Sequence, residues 1–262
     1  MDSKRIDLKK SFVQVYDFGE IKLHAYQTSD VMADECFILE NDSEVFLLEF
    51  PSFYEDMEEF KNYILGLNKK VIAKVFSNHP SGGNEFKDVK SYASRGTIKS
   101  MQEGEIFHIV EGFKTAFNGS FASEFHEITD ILEESKVKIG GFDLEITYHD
   151  EDVEIVFPQI NSVYTHMLGH ECHSILPSKE AIDGFIHQLE GYLEKGYELI
   201  LTSHHTPENL EDVKTKIDYL KNVKQIANES NTKEEFIKNV KEKYSDYKCE
   251  NYLEMTANSL FA

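Results

Sequence analysis

The chain has 262 residues, 40% of them hydrophobic and 29% charged, and its 27 basic against 48 acidic residues leave a formal net charge of -21. That length is enough to bury one large core and lies near the upper size for a single domain. A surface so negative repels phosphate backbones and anionic headgroups, so nucleic-acid and membrane binding are not expected, and solubility is the ordinary use of such a balance.

From residue 11 to residue 50 the apolar residues come in short bursts: Val13, Val15 and Tyr16, then Ile21, Leu23 and Ala25, then residues 36–39, then residues 45–50. They are rich in β-branched and aromatic types and separated by Gly19, Asp34 and the turn Asn41-Asp42-Ser43, which predicts a meander of strands. Ser52 precedes Glu55 at capping-box spacing, and Met57, Phe60, Tyr63, Ile64 and Leu67 recur every three or four residues, so a helix is predicted over residues 53–67. Residues 71–76 are almost continuously apolar, the pattern of a strand buried on both faces, and end in Ser77-Asn78-His79-Pro80-Ser81-Gly82-Gly83.

Residues 84–135 are less decisive: 104–110 reads as a strand, 123–134 as a loop or short helix, and no element is assigned firmly. The β pattern resumes at Val137 and continues through residues 142–148, 153–157 and 162–165. A helix starting at Ser178 carries Ile182, Phe185, Ile186, Leu189 and Leu193 on one stripe and closes at Gly196. A strand over residues 197–202 leads to His204. Thr206-Pro207 then reads as the cap and opening of a helix that runs to about Ala227 through Leu210, Val213, Ile217 and Leu220, and Thr232 with Glu235 opens another. Neither a short-period repeat nor a Gly-, Pro- or Ser-rich linker divides the chain. Residues 1–262 are therefore expected to form one α/β domain, a sandwich of two β-sheets with helices outside and at the C-terminal end.

The three cysteines, Cys36, Cys172 and Cys249, are far apart and in no CxxC spacing, which suits a reducing compartment better than a disulfide framework. The first ten residues carry charge with no apolar stretch behind them, and no segment approaches the roughly 18 apolar residues of a membrane span. A cytoplasmic protein without membrane contact is expected.

Four of the eleven histidines, His79, His149, His166 and His204, fall at or just past the end of a predicted strand. Strand ends are where a rigid scaffold presents side chains to a shared cleft, and neutral imidazole is the commonest metal ligand. These four are the candidate ligands, although any one of them alone reads equally as a surface or hydrogen-bonded histidine. Ser203 beside His204 and Cys172 beside His173 have the residue types of nucleophile and base, but neighbours along a strand point to opposite faces and rarely meet. Residues 78–84, with two glycines, have some look of an anion cradle but lack the lysine and glycine spacing of a phosphate loop, and a tight turn leaving a strand accounts for them.

With these residues in place, the chain resembles the metallo-β-lactamase superfamily over most of residues 11–225. In that family a meander ends in a strand carrying an Asp-Thr-Gly turn, and a helix leads to a strand ending in His-x-His-x-Asp-His with two glycines soon after. Here residues 44–51 look like the last meander strand, with Glu49 near the Asp-Thr-Gly position, and residues 75–86, Val-Phe-Ser-Asn-His-Pro-Ser-Gly-Gly-Asn-Glu-Phe, look like the metal loop. Tyr148-His149 falls where the family's next histidine stands. Residues 162–176 are similar to the segment of the bridging aspartate, with His166 in its place and His170 as a competing alignment. Residues 200–207, Ile-Leu-Thr-Ser-His-His-Thr-Pro, look like the final histidine turn. The metal loop is shortened: His79 stands where three histidines and an aspartate are usual, with Ser81 and Gly82 at the places of the aspartate and a histidine.

The resemblance implies a four-layer αββα sandwich and a reduced, mononuclear site in which His79, His149, His166 and His204 hold one Zn²⁺, Fe²⁺ or Mn²⁺ with a water in an open position. Two dications side by side need anionic charge between them, and no bridging carboxylate is in place. A histidine-only site leaves the ion's full charge to lower the pKa of bound water toward about 7, which implies hydrolysis of a small-molecule ester, lactone, amide or phosphoester. Iron is a variant, since the fold also resembles that of flavodiiron proteins and all-nitrogen ligation does not choose between metals. The lost aspartates imply an alternative: a non-catalytic protein of the same fold that binds a small ligand or a protein partner, as a homodimer, without an obligatory metal.

Overall fold

In the computed structural model, which describes residues 2–79, 82, 84–122 and 128–262, the apolar bursts of the N-terminal region form the expected meander. Its strands are β1 (Lys4–Asp7), β2 (Phe12–Asp17), β3 (Lys22–Gln27), β4 (Glu35–Glu40) and β5 (Glu44–Leu48), each antiparallel to the next. The helix α1 (Tyr54–Gly66) then carries the chain back, so that β6 (Lys70–Val75) lies parallel to β5. β7 (Ser91–Ser94) and β8 (Asp130–Leu132) continue the parallel run and complete an eight-stranded sheet. A second sheet has the order β13-β12-β11-β10-β9. Its strands β9 (Lys136–Ile139), β10 (Phe142–Tyr148), β11 (Val153–Phe157) and β12 (Ser162–Tyr164) are antiparallel, and β13 (Leu199–Leu201) is parallel to β12.

The chain divides into two compact units, Met1–Met167 with Glu198–Pro207, and Leu168–Tyr197 with Glu208–Ala262. The first unit holds both sheets. Leu23, Phe37, Leu39, Phe46 and Leu48 of the large sheet pack with Phe142, Leu144, Ile155, Phe157 and Tyr164 of the small one. The opposite face of the large sheet, through Tyr26, Ile38, Val45 and Leu47, packs on Phe60 and Ile64 of α1 and on Met101 of α2 (Arg95–Glu103). Every residue of β4 is consequently buried. The second unit contains α4 (Lys179–Lys195), α5 (Leu210–Glu229), α6 (Lys233–Lys243) and α7 (Glu250–Leu260).

Several local readings hold in detail. Ser178 caps α4 by accepting the Ala181 N–H, and Gly196 closes it at φ 66°, the left-handed conformation that glycine takes most cheaply. Thr232 caps α6 through the Glu235 N–H. Elsewhere the structure differs. Residues 104–110 do not form a strand: Gly104 separates α2 from α3 (Glu105–Ala116), and Ile106, Val110, Phe113 and Phe117 recur at helical spacing. Of the segment read as a loop or short helix, residues 123–127 lie outside the described residues and Asp130–Leu132 is strand β8. The Ser52 and Glu55 capping box does not form: α1 starts after Phe53 with no side-chain cap. The cap of α5 is Asn209 rather than Thr206, because Asn209 and Asp212 bond reciprocally to each other's backbone N–H groups. Among the described residues no helix is long and apolar enough to cross a membrane.

Candidate metal centre

Parallel strands end at the same edge, and three chain segments leave the sheets of the first unit there. β12 and β13 run side by side, and beyond them the pairing continues through Thr165 N–H to Leu201 C=O at 2.9 Å and Ser203 N–H to His166 C=O at 3.0 Å. That register places His166 next to His204. In the large sheet β6 leads to His79, while Glu49, just after β5, donates its N–H to the Val75 carbonyl at 3.0 Å. The three imidazoles form a nearly equilateral triangle, with ring centroids 5.2 Å apart for His79 and His166, 5.0 Å for His79 and His204, and 5.3 Å for His166 and His204.

One ligand atom from each of these rings lies within 4.8 Å of the other two. Three such points share a centre no more than about 2.8 Å from each, against roughly 2.0–2.1 Å for a zinc–nitrogen bond, so shifts below an ångström bring all three into coordination range. His149, the fourth candidate, is not brought to this group: it is exposed in the turn after β10, with its N–H on the Asp152 carbonyl at 3.1 Å. His170, the competing alignment, belongs to the second unit, where its Nδ1 sits 2.6 Å from Oε1 of Glu208. Gly82, at the place of a family histidine, takes φ 81°, and a Cβ there would fall 2.2 Å from the Phe50 ring, so only glycine fits. Pro80, Ser81 and Gly83 lie outside the described residues.

Two of the rings are propped from behind, and the third is held through its backbone. His204 Nδ1 lies 3.1 Å from the Met32 carbonyl and 3.5 Å from Oδ1 of Asp34, a buried oxygen with no hydrogen bond of its own. A carbonyl can only accept, so Nδ1 carries the proton and Nε2 is left with a free lone pair. His166 Nδ1 pairs with Ser203 Oγ at 3.1 Å, and Ser203 Oγ in turn with the Tyr164 hydroxyl at 2.6 Å. His79 is fixed through its backbone: Glu49 accepts the N–H groups of Ser77 at 2.6 Å, Asn78 at 2.9 Å and His79 at 3.3 Å, as well as the Ser77 hydroxyl. Outer partners that fix the tautomer and aim of each imidazole are the ordinary companions of a metal site.

The electrostatics favour neutral rings. Burial pushes the His79 pKa down to about 3, helped by His204, and pushes His166 well below the usual imidazole range, helped by His79 and His204. Burial raises the Glu49 pKa to about 7 even against its donors, and also raises Asp34, opposed by His204 and Ser52. Neutral imidazole is the ligand form, so the donor set suits a divalent cation. The strand-end pattern reaches the three histidines and the family resemblance reaches Glu49, but neither reaches Asp34, Tyr164 or the Met32 carbonyl, and in the sequence Asp34 is only a break between strands. Ser203, beside His204 in sequence, bonds instead to His166 and Tyr164 and is fully buried.

No family model and no curated protein matches the sequence. Solved structures do match. The inverting sec-alkylsulfatase Pisa1 from Pseudomonas sp. aligns at TM-score 0.63 and 17% identity over 90% of this chain and 48% of its own, so the chain spans about half the length of that enzyme. A metallo-β-lactamase family protein from Thermus thermophilus aligns at TM-score 0.60 and 10% identity over 92% of this chain and 91% of its own. A metallo-β-lactamase from Pontibacter korlensis aligns at TM-score 0.52 and 13% identity over 84% of this chain and 100% of its own. Two sheets, seven helices among the described residues and alignments of this breadth agree: the chain has the metallo-β-lactamase fold.

Proposed function

We propose that the protein is a metal-dependent hydrolase of a small molecule, with a single divalent ion held by His79, His166 and His204. The reading rests on one observation: three imidazoles from separate strand ends, two of them held neutral by burial, bring ligand atoms within 4.8 Å of one another. Such an ion supplies Lewis acidity and draws the pKa of water toward about 7. The chain's own residues do the positioning: Glu49 holds the loop of His79, Ser203 and Tyr164 hold His166, and the Met32 carbonyl beside Asp34 holds His204. Among the described residues no carboxylate joins the group, which favours one ion over two, since a second dication needs negative charge between the pair. Zinc is the first expectation and iron the variant. Neighbours named as an alkylsulfatase and as β-lactamases favour hydrolysis over other metal chemistry.

Metal analysis of untagged protein tests this. About one tightly held ion per chain is expected, lost in the His79→Ala, His204→Ala double variant, together with metal-dependent cleavage of an ester or sulfate ester in a substrate panel. Bound metal without cleavage of any panel member would leave a metal-binding protein and remove the hydrolase. A chain that takes up no zinc, iron or manganese under any loading condition removes the ion as well. What then stands is a ligand-binding protein of the same fold, the reading that the missing carboxylates favour.

A further inference from the structure

In the second unit two cysteines far apart in sequence are brought side by side. Residues 171–173 and Lys248 pair as a short parallel bridge, with Lys248 N–H on the Glu171 carbonyl and His173 N–H on the Lys248 carbonyl, both at 3.0 Å. The bridge sets Cys172 opposite Lys248 and so beside Cys249, the next residue along, and the two thiols shift each other's acidity. Cys249 is the N-cap of α7, at φ 62°, and contributes no capping hydrogen bond from its side chain. Beneath the pair, the fully buried Lys216 ammonium is anchored on the carbonyls of Cys172 at 2.7 Å and Gly169 at 3.0 Å.

We propose that Cys249 and Cys172 form a peroxide-sensing dithiol: a hydroperoxide oxidises Cys249, and Cys172 resolves the product into a disulfide. The two thiols divide the roles. The neighbouring Cys172, with the charges of Lys216 and Lys248, holds the Cys249 thiol below its ordinary pKa, and Cys249 together with burial holds Cys172 above its own. Cys249 is partly exposed, whereas Cys172 is 4% exposed, so the more acidic thiol is the one a solute can reach. The Cys249 thiolate attacks the terminal peroxide oxygen; the S–O bond forms, the O–O bond breaks, and an alcohol or water leaves after taking up a proton. The Cys172 sulfur then attacks the Cys249 sulfenic acid; the S–S bond forms, the S–O bond breaks, and water leaves with the Cys172 proton. Two thiols are oxidised and one hydroperoxide is reduced to an alcohol and water. Cys36, fully buried and with its pKa pushed well up by burial, is the internal control.

The test treats the reduced full-length protein with hydrogen peroxide and reads free thiols, intact mass and peptides mapped without reductant. Two of the three thiols should disappear, the mass should fall by two hydrogens, and one cross-linked peptide pair should contain Cys172 and Cys249. Dithiothreitol should reverse all three changes, and Cys249 should react roughly tenfold or more faster than Cys36. In Cys172→Ser the reaction should stop at a sulfenic acid on Cys249 that a 1,3-diketone traps; in Cys249→Ser the Cys172 thiol should survive. The cross-link map of the unaltered chain decides the matter even where a variant folds poorly. Overoxidised Cys249 without a cross-link, a cross-link through Cys36, or unchanged thiols at peroxide levels that oxidise free cysteine would each overturn the proposal.

Discussion

His166 and His204 leave parallel neighbours, β12 and β13, at a common edge, whereas His149 leaves β10 into the antiparallel hairpin with β11. All three follow a strand in the sequence, and only the pairing direction separates them. Side-by-side parallel strands deliver their following residues to one place, and β6, parallel to β5 in the large sheet, delivers His79 to the same place. A hairpin spends its following residues on the turn itself, so the His149 backbone closes onto Asp152 and its ring stays in water. A histidine after a strand becomes a ligand candidate where strands are parallel and end together.

The strongest test of that contrast removes the brace rather than a ring. Glu49 is fully buried and accepts three backbone N–H groups of the His79 segment, so Glu49→Ala strands them away from water at about 1–3 kcal/mol each where no water enters. A loss of at least about 3 kcal/mol in denaturant unfolding is expected, with loss of metal retention. Glu49→Gln keeps an acceptor oxygen and should recover part of both. Equal stability of Glu49→Ala and the unaltered chain would mean that the strand ends are not held as described.

Ser203→Ala acts on the parallel pair directly. It deletes the Oγ between His166 Nδ1 and the Tyr164 hydroxyl, leaving both without that partner while the ring nitrogens stay within reach of one another. Loss of an outer partner typically weakens metal affinity by about 10–100-fold, and zinc titration against a competing chelator should show a drop of that order. An unchanged affinity would show that the triangle holds itself without its props.

A smaller effect is expected near the loop that supplies the Met32 carbonyl to His204. Asp30 anchors that loop by accepting the N–H of Met32 at 2.7 Å and of Ala33 at 3.1 Å, and its carboxyl also faces Asp56 of α1. Burial, then the nearby charge of Asp30, raise the Asp56 pKa from 3.8 to about 6, with Glu59 adding to the rise and Lys10 opposing it. A carboxyl whose pKa is raised by folding binds more protons folded than unfolded. The stability it contributes is therefore complete below about pH 4 and lost as the pH climbs through about 6. Denaturant midpoints for the unaltered chain should decline across that window relative to those of Asp56→Asn, which cannot ionise. Parallel curves for the two proteins would mean that Asp56 takes up no extra proton on folding.

What the sequence could reveal follows the same division. Elements defined by local chemistry were legible: the meander from its alternation, α4 from Ser178 and Gly196, and α6 from Thr232. Residues 104–110 misled because Ile106, Phe107, Ile109 and Val110 satisfy a strand as well as a helix over so short a run, and the helical register shows only when Phe113 and Phe117 are included. Asp34 was invisible as a prop, since its place beside His204 is set by tertiary closure across 170 residues of chain rather than by any local pattern. All four strand-end histidines are legible because a residue after a strand is a local feature, and which of them come together is not, because strand direction is not local.

His149→Ala should therefore change almost nothing. The ring is exposed, and the hairpin bond that residue 149 makes comes from its backbone N–H to Asp152, which alanine keeps. Its imidazole opposes the burial-raised pKa of Asp152 in the same turn. Stability should stay within about 0.5 kcal/mol of the unaltered chain, and metal content and affinity should be the same within error. The null result carries weight because His79→Ala, a change of the same size and chemistry, is expected to abolish tight binding. If metal content fell equally in both variants, the β10–β11 turn would have to reach the triangle, and the distinction between parallel ends and hairpin ends would fail for this protein.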